Sequence, residues 1–172
     1  MKNQLKFFAE FAEIVGVLGI IASLLFVGLQ LSFDRKLAVS TQYQNRSEIA
    51  IEFQRSNFEN NEFVLNSAER WEKERPVFWN EDIEELMRVS GVSMEYMVQR
   101  FYRDAMSIYS YDNNYFQFRN GLLDEDAWTN LEEIIRRNLR SPLSRATYHE
   151  MRGLHPEFKK LLIELESELG LE

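Results

Sequence analysis

The stretch that decides the fold is EIVGVLGIIASLLFVGLQLSF, from Glu13 to Phe33. Its central 18 residues, 14–31, contain no charged side chain, and only Ser23 and Gln30 are polar. Twelve of these 18 residues are Leu, Ile, Val or Phe. An α-helix of that length is about 27 Å long, close to the roughly 30 Å hydrocarbon core of a bilayer. The stretch therefore predicts a transmembrane helix.

Two other interpretations of the apolar stretch stay open. A soluble core helix normally carries a polar stripe at a period of 3.6 residues, and residues 14–31 have none. A secretory signal peptide is the other rival, because Lys2 and Lys6 precede the stretch as a charged leader would. However, the apolar part exceeds the usual length of roughly 7–15 residues, and no clear small-x-small cleavage site follows it. An uncleaved anchor fits the length and composition best.

One face of the predicted membrane helix consists of small residues: Ala12, Gly16, Gly19 and Ser23. Their spacing places all four on one side of a helical wheel. Small side chains let two membrane helices approach closely, so this face predicts self-association into a homo-oligomer. The alternative is that glycine is simply common in membrane helices.

Charges that flank the apolar stretch indicate its orientation. Arg35, Lys36 and Arg46 follow the stretch, whereas Lys2 and Lys6 precede it. Positively charged flanks tend to stay on the cytoplasmic side of a membrane. The C-terminal flank has one more positively charged residue than the N-terminal flank, which predicts that the larger part of the chain is cytoplasmic.

The rest of the chain predicts an all-α fold. No Gly or Pro occurs between Gly28 and Pro76, so the membrane helix can continue beyond the bilayer. We expect residues 1–33 to form the N-terminal flank and transmembrane helix, residues 34–48 a polar helical stalk, and residues 49–172 a soluble helical domain. In that domain, apolar residues recur every three or four positions, which predicts a bundle of about five or six helices.

Capping residues and prolines indicate where these helices begin and end. A helix is expected over residues 62–74. The longest helix is expected to follow the N-cap Asn80 and to reach about Asn120, with Gly91 inside it as a potential kink. Three further helices are expected, each opened by a capping residue or a proline: Asp124, Ser141 with Pro142, and His155 with Pro156.

Composition excludes several chemistries. The chain has 172 residues and no cysteine, which excludes disulfides, thiolate metal ligands and cysteine nucleophiles. Its 20 basic and 28 acidic residues give a net charge of −8, so no nucleic-acid partner is expected. His149 and His155 do not complete the Glu-x-x-His pattern of bundle di-metal sites. Phosphate-binding glycine loops and the Gly-x-Ser-x-Gly elbow are missing as well, so we expect no catalytic residue, cofactor or metal.

Aromatic residues crowd the second half of the longest predicted helix, in FYRDAMSIYSYDNNYFQF from Phe101. Tyr109, Tyr115 and Phe116 belong to this cluster, and Trp128 on the next helix is a candidate neighbour. Aromatics on several faces of one helix are typical of a helix buried at the centre of a bundle. The alternative is a groove that binds a peptide or a ligand.

Several segments carry a resemblance to a known group of proteins. NGLLDEDAW, SPLSR and HPEFKKLL, together with the N-terminal apolar stretch, resemble an uncharacterised family of short bacterial single-pass membrane proteins with a C-terminal helical domain. The similarity extends over nearly the whole chain, and the family often has Trp where Tyr148 stands here. The resemblance implies a helical domain anchored in a bacterial inner membrane, and it implies no activity or substrate.

These features predict a membrane-anchored interaction or scaffold module whose partners are the lipid bilayer and an unknown protein. An enzymatic role is less favoured, because no catalytic constellation is visible. The alternative is a small-molecule sensor or uncharacterised enzyme, which predicts a closed pocket in the bundle lined by Tyr109, Tyr115 and Trp128. A third class, a toxin of a membrane-stress or phage response, would be indicated only by neighbouring genes.

Overall fold

The computed structural model describes the backbone of residues 2–171 and the side chains of residue 11 and residues 13–171. Over this part of the chain the fold is all-α, with seven helices and no strand, which confirms the predicted fold class. The chain divides into two compact units, Met1–Thr41 and Gln42–Glu172. The helices are α1 (Lys2–Glu59), α2 (Asn61–Lys73), α3 (Glu81–Ser90), α4 (Met94–Arg119), α5 (Glu125–Leu139), α6 (Pro142–Glu150) and α7 (Pro156–Glu168).

The first unit consists of the N-terminal part of α1, whose apolar side chains are uncovered. Its most apolar 18-residue window has a mean hydropathy of 2.5, and none of that window is buried by the described chain. Leu24 and Phe26, for example, are 67% and 68% exposed. By length and composition this helix could cross a membrane, although a signal sequence would meet the same criterion. An 18-residue helical window with no buried side chain does not match the core helix of a soluble domain.

The second unit is a helical bundle built around α4, against which α2, α5 and α6 pack. One side of α4 is buried, and its buried apolar residues recur at helical spacing. Ile135 and Leu139 of α5 and Phe158 of α7 are fully buried in the same core. The α4 residues of the core are Met94, Met97, Val98, Phe101, Ala105, Ile108 and Tyr115.

Side chains at the helix N-termini fix where the helices of the second unit begin. Asn80 and Asp124 each accept a hydrogen bond from the backbone N–H three residues on, at 3.0 and 2.8 Å. His155 Nδ1 accepts a hydrogen bond from the Glu157 N–H at 3.3 Å. Asn60, which the sequence pattern did not single out, caps α2 in the same way. Each cap supplies an acceptor to an N–H that has none within its own helix.

The single long helix expected over residues 81–120 is wrong, because the chain forms two helices there, α3 and α4. Gly91 ends α3 with a φ of 65°, in the left-handed region that glycine enters without steric strain. Ser93 then opens α4, its Oγ accepting a hydrogen bond from the Tyr96 N–H at 3.3 Å. The apolar residues keep a helical spacing on both sides of this break, so their period did not reveal it.

Ser144 of α6 is hydrogen-bonded to a partly buried ion pair of α4. Arg100 Nε donates to both carboxylate oxygens of Asp104 at 3.0 Å, and Ser144 Oγ donates to Asp104 Oδ2 at 2.7 Å. Asp104 is 5% exposed and Ser144 is fully buried. Within the described side chains, no buried nitrogen or oxygen lacks a hydrogen-bond partner. The described interior of the second unit therefore combines an apolar core with buried polar side chains that all have hydrogen-bond partners.

Leu162 and Ile163 are neighbours on α7, yet they are 1% and 59% exposed. We expect Leu162→Ala to lower the free energy of unfolding by about 2–5 kcal/mol, because it removes buried methyl groups and leaves a cavity. Ile163→Ala is the matched control and should cost less than about 0.5 kcal/mol. Denaturant titration of the full-length chain in detergent micelles, followed by tryptophan fluorescence, measures both values. Equal losses in the two variants would contradict the observed packing of α7.

Candidate functional site

A polar cavity of about 170 Å³ lies within the second unit, between the C-terminal part of α1, α4 and the loop that joins α6 to α7. It combines hydroxyl groups, two arginines and one buried carboxylate. The residues that line it are Tyr43, Arg46, Ser47, Ala50, Tyr109, Asp112, Arg152 and Gly153.

Asp112 is the centre of the hydrogen bonds around this cavity, and it is 4% exposed. Tyr43 Oη donates to Asp112 Oδ2 at 2.5 Å, and the His155 N–H donates to Oδ1 at 2.8 Å. Burial raises the pKa of the Asp112 carboxyl, while the two hydrogen bonds act in the opposite direction. Burial and the adjoining carboxylate also raise the pKa of the Tyr43 hydroxyl. A single carboxylate thus joins α1, α4 and the α6–α7 loop.

Further contacts fasten α1 at the same place. Ser47 Oγ donates to the backbone carbonyl of Tyr109 at 2.7 Å. The Tyr43 ring stacks on Phe116, with ring centroids 4.2 Å apart and planes 6° from parallel. Together with the two bonds to Asp112, these contacts form what we call the α1 junction. Its hydrogen bonds and ring contact hold one helix against the bundle.

An open groove of about 420 Å³ continues from the polar cavity. Tyr109 and Arg152 line both spaces. The groove lies between the end of α1, the start of α2, α4 and the end of α6. Its large apolar lining residues are Phe53, Phe63, Phe101, Tyr102, Tyr109 and Met151.

The part of α1 that borders this groove buries polar residues and exposes apolar ones. Ser47 and Gln54 are 6% and 9% exposed, whereas Ile49 and Phe53 are 72% and 62% exposed. Helices of soluble domains normally show the opposite distribution. Ile49 and Phe53 lie one helical turn apart, so they form a continuous apolar surface.

A second cleft, of about 450 Å³, lies near the start of α3 and between α6 and α7. In it, His149 Nε2 lies 2.9 Å from both carboxylate oxygens of Glu166. The hydrogen bond to Glu166 raises the pKa of His149, against the smaller effects of burial and of the cations Lys159 and Arg145. Such a pair can exchange a proton near neutral pH.

The four aromatic residues singled out in the sequence lie in different places. Tyr115 and Trp128 are 8% and 5% exposed and pack together in the core, with ring centroids 5.3 Å apart. Tyr109 lines the polar cavity and the open groove. Phe116 supports Tyr43 in the α1 junction. The structure therefore brings Tyr115 and Trp128 together and places Tyr109 at a separate site.

The small residues of the first unit lie on an open face of α1. A Cβ atom added at Gly16 or Gly19 would meet no described atom within 4 Å. Ser23 Oγ donates to the Gly19 carbonyl at 2.8 Å, within the same helix. The side chain of Ala12 lies outside the described residues. Self-association through this face stays a prediction.

Sequence reasoning missed Tyr43, Ser47 and Asp112. Residues 34–48 are polar almost all round, which favoured a solvated stalk over a helix packed on the bundle. Tyr43 and Asp112 are 69 positions apart, and no periodicity links residues at that distance. The available signal was a tyrosine inside a mostly polar stretch, since a large amphipathic ring usually packs against other side chains.

Comparison of the chain with protein-family models, with curated proteins and with solved structures finds no match. Among the described side chains, no group of three or more His, Cys, Asp or Glu is placed to hold a metal ion. The expected absence of a metal or cofactor stays a prediction. Function is therefore inferred from the contacts and surfaces of the chain itself.

The His149–Glu166 pair predicts a pH dependence of stability. Because the pKa of His149 is raised in the folded chain, its protonated form stabilises the fold fully below the unfolded value of about 6.5. This stabilisation is lost as the pH rises through the higher folded value. From about pH 5 to about pH 8, we expect the wild-type thermal midpoint to fall relative to that of Glu166→Gln. Thermal unfolding of the full-length chain in detergent at a series of pH values measures this difference.

Glu150→Gln is the control for that experiment, because it makes the same charge change at an exposed residue outside the ion pair. Its midpoint should follow the wild-type midpoint at every pH. Parallel pH profiles for the wild type and Glu166→Gln would show that the pair does not titrate as described.

Proposed function

We propose that the chain is a single-pass membrane protein whose helical body serves as an interaction module. The proposal rests chiefly on the uncovered apolar helix, 18 residues without charge, none of them buried by the described chain. The twelve Leu, Ile, Val and Phe residues favour insertion into a bilayer by about 4 to 7 kcal/mol. A helix also satisfies its own backbone hydrogen bonds in lipid. The second unit instead has a buried apolar core, and its described buried polar side chains are hydrogen-bonded, as in a domain that folds in water.

The proposed location is a bacterial inner membrane, with the body on the cytoplasmic side. The bacterial setting rests on the resemblance carried by NGLLDEDAW and HPEFKKLL. The orientation rests on Arg35, Lys36 and Arg46, which follow the apolar stretch. Digestion of the body by a protease added outside intact spheroplasts would contradict this orientation.

An interaction role is supported by two features of the body: a polar cavity whose groups bond to each other, and an open groove with aromatic side chains. The hydroxyl groups of Tyr43, Ser47 and Tyr109 all donate hydrogen bonds within the protein, so the polar cavity is used for structure. The adjoining groove is open and carries aromatic side chains. Contiguous exposed apolar surface on a folded domain is typical of sites that bind other proteins.

A small-molecule sensor or enzyme is the second candidate, and the His149–Glu166 pair favours it. The pair lies in a cleft of about 450 Å³, a size in the range of ligand sites. A metabolite that raises the thermal midpoint of the wild type, but not of His149→Ala, would support this candidate. A broad metabolite set that shifts neither chain would count against it.

The anchor predicts that two charges at its centre abolish membrane retention. Each arginine at the centre of a membrane helix costs about 2.5 to 3.5 kcal/mol on the insertion scale. We expect the wild-type chain to stay in the membrane pellet after alkaline carbonate extraction, and the double variant Ile21→Arg, Leu24→Arg to move to the supernatant. Asn45→Arg, an exposed position in the second unit, is the control and should stay in the pellet. Recovery of the intact wild-type chain in the supernatant would falsify the anchor.

A further inference from the structure

We propose that the groove beside Phe53 is the docking site for an amphipathic helix of a partner protein, one that carries acidic side chains next to large apolar ones. This inference names the partner class of the interaction module and rests on that proposed function. It is carried by two independent features of the groove, its preformed aromatic floor and the two arginines at one end.

The floor of the groove is aromatic and fixed by the core. Phe101 is 7% exposed and packs edge-on against Tyr102, with ring centroids 5.3 Å apart. The Phe63 ring also packs edge-on against Tyr102, with ring centroids 5.5 Å apart. These ring–ring contacts fix the orientation of the aromatic side chains. A partner side chain that enters the groove therefore meets a surface that is already shaped for apolar contact.

Phe53 lines the groove, and Ile49 beside it extends the apolar surface along α1. Ile49 and Phe53 project outward one turn apart and are 72% and 62% exposed. A helix that lies beside α1 presents side chains at positions i, i+3, i+4 and i+7 along one face. That spacing can cover Ile49 and Phe53 and place a further apolar side chain in the groove. Because the groove is open along its length, a helix fits it better than a small molecule, which normally requires enclosure.

The end of the groove that joins the polar cavity is cationic at its surface. The exposed Arg152 side chain has no hydrogen bond or ion pair with any described residue. The Arg46 guanidinium donates to the Gly153 carbonyl but has no described carboxylate within ion-pair distance. The carboxylate of Asp112 is buried, and both of its oxygens already accept hydrogen bonds.

No described carboxylate lies within ion-pair distance of either arginine at this end of the groove. Arginine pairs with carboxylates through strong, directional hydrogen bonds. Glu150 also lines the groove and is exposed, so the lining is not uniformly basic. The charge pattern therefore selects a partner helix with acidic residues at the Arg46 and Arg152 end.

Peptide selection tests this proposal directly. The full-length chain is reconstituted in phosphatidylcholine nanodiscs and panned with a phage-displayed library of random dodecapeptides. Binders to the same nanodiscs carrying Phe53→Asp, and binders to empty nanodiscs, are removed by counter-selection. We expect the enriched peptides to combine Glu or Asp with Leu, Phe or Trp at helical spacing. A basic consensus, or no enrichment over the Phe53→Asp chain, would overturn the proposal.

Charge exchange separates recognition from a structural effect. A fluorescein-labelled copy of the best peptide is titrated by anisotropy, and we expect Phe53→Asp and Arg152→Glu each to weaken binding at least tenfold. A Lys-for-Glu version of the peptide should regain affinity for Arg152→Glu, an effect that misfolding cannot produce. Val89→Asp on α3, where Val89 is 70% exposed, is the matched control and should bind as the wild type does.

Two results would assign the surface to another occupant. A dimer of the wild-type chain that Phe53→Asp dissociates would identify a second copy, and peptide-independent binding to nanodisc lipid would identify the bilayer. Either result would overturn the proposed partner. Loading of the chain into the nanodiscs tests the anchor before any peptide is added, so failure of peptide binding is distinct from failure of the anchor.

Discussion

The need to satisfy one buried carboxylate fixes α1 and the α6–α7 loop against the bundle of the second unit. Asp112 is almost wholly removed from water, so each of its oxygens requires a donor from the protein. The donors come from segments far apart in sequence, the Tyr43 hydroxyl on α1 and the His155 backbone ahead of α7. Neither donor can move away without leaving an oxygen unpaired at a cost of about 1–3 kcal/mol. The position of α1 on the bundle and the course of the α6–α7 loop are thus set by the same side chain.

The chain carries two kinds of apolar surface, which suit different surroundings. The first surface, in residues 14–31, surrounds its helix on all sides and has neither a polar stripe nor a charge. The second, at Ile49 and Phe53, covers one side of α1 and is bordered by arginines. A bilayer can cover the first kind, since lipid contacts a helix from every direction. The second kind suits a partner that approaches from one side and brings its own charges, so we assign the two surfaces to different partners.

Short-range sequence signals were enough to predict most of the fold. The caps at Asn80, Asp124 and His155 and the apolar spacing of α4 indicated an all-α bundle, because both signals act within a few residues. The break at Gly91 was missed, since glycine is tolerated inside helices and the apolar period continued past it. The α1 junction was missed for a different reason. Its partners are distant in sequence, and the polar residues of α1 that are buried resembled residues that face water.

The α1 junction has a practical consequence for anyone who produces the body without its apolar helix. A shortened chain that begins at residue 49, the start of the soluble domain expected from hydropathy, would lack Tyr43 and Ser47. Asp112 would then keep one of its two donors, and the face of Phe116 that Tyr43 covers would meet solvent. A fragment that starts at Gln42 retains every one of these contacts, so the useful cutting point lies upstream of the position that composition suggests.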